Sequence, residues 1–526
     1  MKKLRRSLGI CLLLGIVLLE QITSAKGLPF PDINNSYAKI EITQLQNQGI
    51  VVGDENGLFN PERAVTRAEF VTMLGRVLGL QPVNSSIQAF QDVRTDNWAY
   101  GWANAAAQIG IVSGTSPTTF APARTITRQE AAAILVRSKS QQSSIREKNK
   151  LTDEDDVAPW ALPYVKQAIA SGLMNGFEGK FRPQGMLTRQ ELAVVLSRML
   201  SEPSNGNNDQ NPSIQLAWED QGSTSDFIQL VQKSPVNVLS PRWFFLDENG
   251  ELSDDGDINL VTWAHKNGRK VWAMVGNRSM DDATHQLVSD PVSRKAFIRS
   301  ILQYTDKYQL DGINIDFENV LPSDRDDFTQ FIRELSTALK SKGIILSVDV
   351  PPNLNNSWSD PFDYQILGGL VDYLIVMTYD EHWDGCLEAG SVSSLPWYDQ
   401  HLREITTLVP SQKVIAGIPL YTRDWVKTGG NVQSQELLIQ EEYDLLSFIH
   451  QRISWDPNIA QYIATYTRSN VPHTIWVEDS RSIAEKLKVS NKLGIKGAAY
   501  WSIEGGTDDV WAAVNNIVNS RMRYSM

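Results

Sequence analysis

Cysteine and histidine are scarce in this chain of 526 residues: there are two cysteines, Cys11 and Cys386, and six histidines. So few cysteines exclude a disulfide framework, and neither residue type shows the spacing of metal ligands. Beyond the N-terminal segment, no apolar run is long enough to cross a membrane. We therefore expect no metal site, no cofactor and no transmembrane span in the mature protein.

Positive charge is also in deficit, since 61 acidic residues face 49 basic ones and the net charge is −12. Residues 1–25 hold a basic start, an apolar run and small residues before Ala25, which is typical of a secretory signal peptide. An uncleaved membrane anchor is the alternative. Removal of this basic segment makes the charge still more negative. The sequence therefore predicts a secreted protein that binds no nucleic acid.

The N-terminal part of the chain contains an internal repeat. The hexapeptides VTRAEF, ITRQEA and LTRQEL begin at evenly spaced positions, and each follows a Gly-rich turn and a Phe-x-Pro segment. A helix–loop–helix unit is therefore predicted three times. The predicted repeats span 28–80, 88–140 and 149–200, and a polar linker follows at 201–213.

The shared Thr-Arg-x-Glu sequence fits the capping box that begins a helix. The box explains Thr and Glu but not Arg, because a cation in the first helical turn opposes the helix dipole. These arginines either meet an anion or are simply solvated. They are Arg67, Arg128 and Arg189.

The three repeats resemble the S-layer homology module. The resemblance implies a three-part helical bundle that binds an anionic secondary cell-wall polysaccharide, and hence a protein of the bacterial cell surface, cell wall or S-layer. Besides the three arginines, it implies that the binding grooves are bordered by Asp32, Asp92, Trp98 and Trp160. Tyr37 stands where the other repeats have Trp, which predicts a weaker groove in the first repeat.

From Ile214 onward, apolar strands alternate with amphipathic helices. Eight strands are predicted, at 214–220, 236–245, 270–276, 311–318, 345–352, 373–380, 414–421 and 497–504. Their number and alternation predict a (β/α)8 barrel over 214–520, with an insertion at 428–475 after strand seven. A doubly wound sheet is the alternative, but no Gly-rich phosphate loop follows any strand.

The segment LDGINIDFEN at 310–319 contains the candidate catalytic residues. Its alternation places Asn314, Asp316 and Glu318 on one face of a strand and apolar residues on the other. In a barrel the polar face points inward, and Glu318 lies at the rim where barrel active sites are built. Asp311 has the opposite parity, so we expect a structural role for it.

This segment resembles the DGxDxDxE signature of glycoside hydrolase family 18. MTYD at 377–380, GIPLYTRDW at 417–425 and Trp501 agree with the same family. The resemblance implies retaining, substrate-assisted cleavage of β-1,4 bonds at N-acetylglucosamine. Glu318 would be the acid, and Asp316 and Tyr379 would hold the acetamido group. The substrate-binding residues that it implies are Asn314, Asp380, Met377, Tyr421, Arg423 and Trp501.

Asn314 departs from the family pattern, which more often has Asp at this position. We expect its amide to hydrogen-bond Asp316 without adding charge, so that Asp316 titrates simply. DGINIDFEN with MTYDEHW is most similar to spore-cortex and cell-wall N-acetylglucosaminidases, which favours peptidoglycan over crystalline chitin as the glycan substrate. A lectin-like protein that binds sugar without cleaving it, and a structural wall protein, are the alternatives.

Overall fold

The computed structural model describes residues 30–139, 151–201, 213–449 and 452–524. The predicted signal peptide at 1–25 and nearly all of the linker at 201–213 lie outside the described residues. Within the described ranges, no helix is long and apolar enough to cross a membrane.

The N-terminal domain is a bundle of paired helices, two from each repeat, as predicted. The helices are α1 (Lys39–Asn47), α2 (Arg67–Val77), α3 (Tyr100–Gln108), α4 (Arg128–Arg137), α5 (Leu162–Ala170) and α6 (Arg189–Ser201). The second helix of each repeat begins at the repeated arginine, because the preceding threonine caps it. In the first repeat, for example, the Thr66 side chain accepts from the Glu69 backbone N–H and the Glu69 carboxylate accepts from the Thr66 backbone N–H.

The three repeats meet at a closed ring of backbone hydrogen bonds. Val65 donates to the Leu187 carbonyl at 2.8 Å, Leu187 donates to Ile126 at 3.1 Å, and Ile126 donates back to Val65 at 3.0 Å. Each residue immediately precedes a capping threonine. The ring therefore brings the three Thr-Arg-x-Glu segments together around one axis and confirms the three-part bundle.

The C-terminal domain is a closed barrel of eight parallel strands, which confirms the predicted fold. Its strands are β1 (Ile214–Glu219), β2 (Val238–Phe245), β3 (Lys270–Gly276), β4 (Gly312–Asp316), β5 (Ile345–Val350), β6 (Tyr373–Val376), β7 (Val414–Pro419) and β13 (Gly497–Trp501). Around the barrel the order is β1, β13, β7, β6, β5, β4, β3 and β2. The helices around them are α7 (Thr224–Gln232), α8 (Ile258–Lys266), α9 (Asp281–Ser289), α10 (Pro291–Tyr308), α11 (Arg325–Lys340), α12 (Tyr364–Leu370), α13 (Leu395–Leu408), α15 (Ser480–Lys492) and α16 (Asp508–Tyr524).

The two faces of β4 are buried against different partners. Ile313, Ile315 and Phe317 join the apolar layer between barrel and helices, where Phe317 stacks on Phe331 of α11 with ring centroids 5.7 Å apart. The opposite parity faces the barrel interior. The predicted alternation of this segment is confirmed.

A five-stranded antiparallel sheet follows β7. Its strands are β8 (Tyr421–Thr428), β9 (Asn431–Leu438), β10 (Arg452–Asp456), β11 (Gln461–Arg468) and β12 (Val471–Val477). The helix α14 (Ile439–Phe448) connects β9 to β10. The insertion therefore begins at Tyr421, earlier than the predicted 428. The polar and aromatic residues at 421–425 belong to the first inserted strand rather than to the barrel.

The segment between the first two repeats, together with α3 of the second repeat, contacts the barrel directly. Val83 and Ala105 pack with Ala512 and Ala513 of α16 in a small buried cluster. The Gln81 backbone N–H donates to Asn516 Oδ1 at 2.7 Å, and Asn516 Nδ2 returns a bond to the Gln81 carbonyl at 2.8 Å. The described parts of the two domains thus share an apolar contact and a reciprocal hydrogen-bonded pair.

Candidate active site

Glu318 lies just beyond the end of β4, and the Asn277 side chain hydrogen-bonds both its backbone N–H and its backbone carbonyl. Asn277 Nδ2 donates to the Glu318 carbonyl at 2.6 Å, and Asn277 Oδ1 accepts from the Glu318 N–H at 3.0 Å. Ser279 Oγ donates to Glu318 Oε2 at 2.9 Å. The loop after β3 therefore fixes this carboxylate at the rim, while one side remains accessible from the mouth.

Asp316 points into the barrel below Glu318 and keeps a partly accessible surface. Burial raises the pKa of Asp316 to about 8, the like charge of Glu318 adds to the increase, and Arg242 opposes it. Asp316 therefore holds a proton near neutral pH. A proton-bearing acid beside a second carboxylate is a common arrangement in acid–base sites.

Tyr379 follows β6 and lies beside this carboxylate pair. Burial raises the pKa of its hydroxyl well above the usual value, and the charges of Asp316, Asp349, Asp380 and Glu318 raise it further. The hydroxyl therefore remains a hydrogen-bond donor. Gly417 on β7 makes room for the ring, since a Cβ at that position would lie 2.9 Å from Tyr379 Cε1.

Asp380 is exposed at the rim and is oriented by Tyr421, whose hydroxyl donates to Asp380 Oδ1 at 2.6 Å. Its backbone has φ 60°, a left-handed conformation that Asp adopts more readily than most residues. Arg423 lies farther along β8, where it donates to Glu436 at 3.1 Å and Ser434 at 3.2 Å. The insertion thus contributes directly to the wall of the mouth.

Trp501 ends β13 and Met377 follows β6, and both are partly accessible at the mouth. The Trp501 ring lies 6.0 Å from that of Trp218, edge to face, and the Arg242 guanidinium lies over it at 5.6 Å. Arg242 also forms an ion pair with Asp220. The indole is therefore held in place and keeps an accessible surface at the mouth.

Asn314 does not hydrogen-bond Asp316, so that expectation is wrong. Its Oδ1 accepts from Trp218 Nε1 at 2.8 Å and from Ser240 Oγ at 3.2 Å. Its Nδ2 donates to Ser347 Oγ at 3.1 Å and to Asp349 Oδ1 at 2.7 Å. Simple titration of Asp316 is not expected either, because a third buried carboxylate, Asp349, interacts with it.

Sequence reasoning missed four residues of this site: Asn277, Ser279, Arg242 and Asp349. Asp349 had a usable signal, because ILSVDV places a lone acid in an otherwise buried strand and gives it the same parity as Ser347. Asn277 and Ser279 lie in a loop without periodicity. By contrast, Asp311 has the expected structural role, since it accepts from Lys270 at 2.7 Å and contacts His265 at 2.8 Å.

The three repeat arginines lie between neighbouring repeats. Arg67 Nε donates to the Phe120 carbonyl, Arg128 Nε to Phe181 and Arg189 Nε to Phe59, at 2.6–2.9 Å. Each guanidinium also lies over the ring of the same phenylalanine. Their expected contact with an anionic polysaccharide stays a prediction, and the partners seen here are those of an architectural residue.

The predicted aspartates and tryptophans have different surroundings. Asp32 accepts from the backbone N–H groups of Phe59 and Asn60, and Asp92 accepts from the equivalent groups in the second repeat, so both fix loops. Trp98 and Trp160 are 61% and 51% exposed, and Tyr37 is 67% exposed. Trp98 lines a groove with Arg63 and Arg76. Of these candidates, the exposed aromatic rings are free to contact a glycan.

The sequence pattern of "Glycosyl hydrolases family 18" matches residues 214–506, which is more than half of the chain. The chain belongs to this family. The S-layer homology domain matches 29–71, 89–132 and 150–193, so this family 18 enzyme carries three such domains. S-layer homology domains bind cell-wall polymers and indicate anchoring at the cell surface.

The relatives of this family 18 enzyme include a glycosylase and a cortical fragment-lytic enzyme. It is 29% identical over 311 residues to "Uncharacterized glycosylase YvbX" of Bacillus subtilis, covering 56% of this chain and 88% of that protein. It is 31% identical over 235 residues to the "Cortical fragment-lytic enzyme" of Bacillus anthracis, covering 43% and 54%. The chain thus spans only about half of this second relative.

Among solved structures, the chitinase of Chromobacterium violaceum matches with a TM-score of 0.53 at 25% sequence identity. The match covers 58% of this chain and 98% of that structure. The barrel is therefore that of a chitinase-like glycosyl hydrolase.

Proposed function

We propose that this protein is a secreted enzyme, anchored to the cell wall, that cleaves β-1,4 bonds at N-acetylglucosamine in peptidoglycan or chitin-like glycans. The observation that carries the proposal is the stack of Glu318 at the rim and Asp316 below it, both inside the barrel and both partly accessible from the mouth. An S-layer homology bundle on the same chain supports a substrate within the wall.

Catalysis is proposed to be retaining and substrate-assisted. Glu318 donates a proton to the leaving oxygen, and the carbonyl oxygen of the 2-acetamido group attacks the anomeric carbon to form an oxazolinium-like ring. The Tyr379 hydroxyl donates to the acetamido oxygen. Asp316 faces the acetamido N–H, where positive charge develops.

The remaining residues of the mouth are proposed to hold the sugar. Trp501 offers a ring face to the pyranose, and Asp380, oriented by Tyr421, accepts from sugar hydroxyls. The cortical fragment-lytic relative favours peptidoglycan fragments, and the chitinase structure favours chitin-like oligomers. Digestion of the two glycans side by side, with identification of the new reducing ends, decides between them.

The decisive variant is Glu318→Gln, which keeps the shape of the side chain and removes its acid. We expect turnover of an N-acetylglucosamine oligomer to fall by about a thousandfold, in line with the loss of a general acid. Oligomer binding should persist, because the hydroxyl and indole contacts remain. The same substitution at Glu388, an exposed residue of the loop after β6, serves as the control.

The alternatives give different results in the same experiment. If wild-type protein and Glu318→Gln both bind the oligomer and neither cleaves it, the protein is lectin-like. If neither binds, the barrel is a scaffold of a wall protein, and the proposed enzymatic function is wrong.

A further inference from the structure

The proposed reaction requires Asp316 in its anionic form, because a carboxylate stabilises a developing cation far better than a neutral acid does. The surroundings of Asp316 favour the neutral acid, since burial and the charge of Glu318 hold a proton on it near neutrality. A proton acceptor next to Asp316 would remove this conflict.

Asp349 occupies the place where such an acceptor is needed. In the register of β4 and β5, Asn314 lies opposite Ser347 and Ile315 opposite Val348. One residue further, this register puts Asp349 beside Asp316, on the inward face of the neighbouring strand and about 5 Å away along the sheet. Asp349 is only 2% exposed, so its carboxylate faces the barrel interior and not solvent.

Asn314 fixes the orientation of Asp349. The amide oxygen is taken by Trp218 Nε1 and Ser240 Oγ, which leaves the amide N–H groups directed at β5. One of them donates to Asp349 Oδ1 at 2.7 Å. Asn314 itself is fully buried and has no acidic proton to share, so it aligns the acceptor without competing for the proton.

The charged groups around the pair favour one shared proton. Glu318 lies above it, and Tyr379 approaches from the end of β6 with Asp380 next to it. Arg242 of β2 forms an ion pair with Asp220. Burial raises the pKa of Asp349 well above its usual value, and the charges of Asp316 and Glu318 raise it further. Two crowded carboxylates with so little compensating positive charge retain one proton between them.

We propose that Asp349 accepts the proton of Asp316 as the oxazolinium-like charge develops. It thereby takes the role that an acid at residue 314 would otherwise have. The O–H bond of Asp316 breaks, an O–H bond forms on Asp349, and the net charge of the pair stays at −1. The proton returns when the oxazolinium-like ring is hydrolysed. Asp349 acts through Asp316 and is a positioning residue, and the inference rests on the proposed function.

The test uses Asp349→Asn in the full-length protein with an N-acetylglucosamine oligomer as substrate. Asp316 must then lose its proton to solvent before each turnover. We expect kcat near neutral pH to fall by about tenfold or more, KM to change much less, and the acidic limb of the pH–rate profile to move to higher pH.

A double exchange separates this role from packing. Asn314→Asp with Asp349→Asn restores one carboxylate and one amide on the opposite strands, and we expect it to regain most of the lost kcat. Asn314→Asp alone adds an acid to the Asp316–Asp349 pair and should also move the acidic limb of the pH–rate profile. Ser347→Ala removes the other β5 acceptor of Asn314 without changing charge, and its pH profile should remain that of wild type.

Each outcome decides the inference. A wild-type pH profile and kcat in Asp349→Asn overturn it, as does a folded double variant no more active than Asp349→Asn. If Asp349→Asn does not fold, the double variant is compared with wild type instead: activity within about tenfold supports the inference, and a larger loss overturns it. A wild-type protein that never cleaves the oligomer overturns the proposed function itself.

Discussion

The helical bundle and the interior of the barrel bury charged groups under opposite conditions. In the bundle, Arg189 is buried against a carboxylate, Glu69, and two backbone carbonyls of the first repeat. In the barrel, Asp316 and Asp349 are buried close to each other and to Glu318, with Arg242 as the compensating charge. A buried charge with a full set of partners stabilises architecture. Crowded carboxylates instead retain protons that chemistry can use.

Of the variants that test this contrast, Arg189→Ala is expected to have the largest effect on stability. The change leaves the carbonyls of Phe59 and Val52 without their donor, and it removes a cation from Glu69. We expect the bundle to lose about 3 kcal/mol of unfolding free energy, because buried partners are left unpaired. Calorimetry of the full-length protein measures this as a lower transition temperature for the bundle.

Arg63→Ala is the matched control, because Arg63 contacts the same Glu69 from a side chain that is 45% exposed. We expect it to cost roughly 0.5 kcal/mol, as exposed ion pairs do. Equal losses in both variants would show that burial of Arg189 contributes nothing beyond the ion pair, and the architectural interpretation would be wrong.

These arginines also show where sequence reasoning stops. The Thr-Arg-x-Glu pattern predicted the capped helices correctly, because a capping box is local. The carbonyl acceptors of Arg67 lie about 50 residues away in the next repeat, at Ser113 and Phe120, and no local pattern identifies them. Asp349 was missed for the same reason, because its partners are distant in the sequence. The parity of β5 was readable, but its pairing with Asn314 depends on the register between two strands.

A smaller difference between the barrel and the bundle is expected in their free energies of unfolding at alkaline pH. In the barrel domain the pKa values of Asp316 and Asp479 are raised to about 8 and about 7, chiefly by burial. An acid whose pKa is higher in the folded than in the unfolded state costs stability as pH rises above the unfolded value, and the loss levels off above the folded value. Between pH 7 and 9 we expect the barrel to lose about 1–2 kcal/mol, the equivalent of a pKa unit or so.

The bundle should not follow the barrel over this range. Hydrogen bonds from Arg63 and the Thr66 backbone hold the pKa of Glu69 below its usual value despite burial, so this residue is ionised throughout. Calorimetric scans at several pH values test the difference. Asp479→Asn, at the N-cap of α15, should reduce the alkaline loss. A loss of the same size in that variant would assign it to other groups.

The smallest effect is expected on the bundle surface, where the aromatic rings of Tyr37, Trp98 and Trp160 are exposed. Trp98→Ala removes an indole from the groove that includes Arg63 and Arg76, and we expect binding of purified cell walls to weaken severalfold, about 1 kcal/mol for one ring contact. Tyr37→Ala should weaken binding less, because a phenol offers a smaller face. Val292→Ala, at an exposed position on the barrel domain, is the control. Sedimentation with cell walls measures all three. If Trp98→Ala binds as wild type does while Arg128→Ala, in a folded protein, does not bind, the glycan is held by the arginines after all, and the division between architectural charge and binding surface fails for this domain.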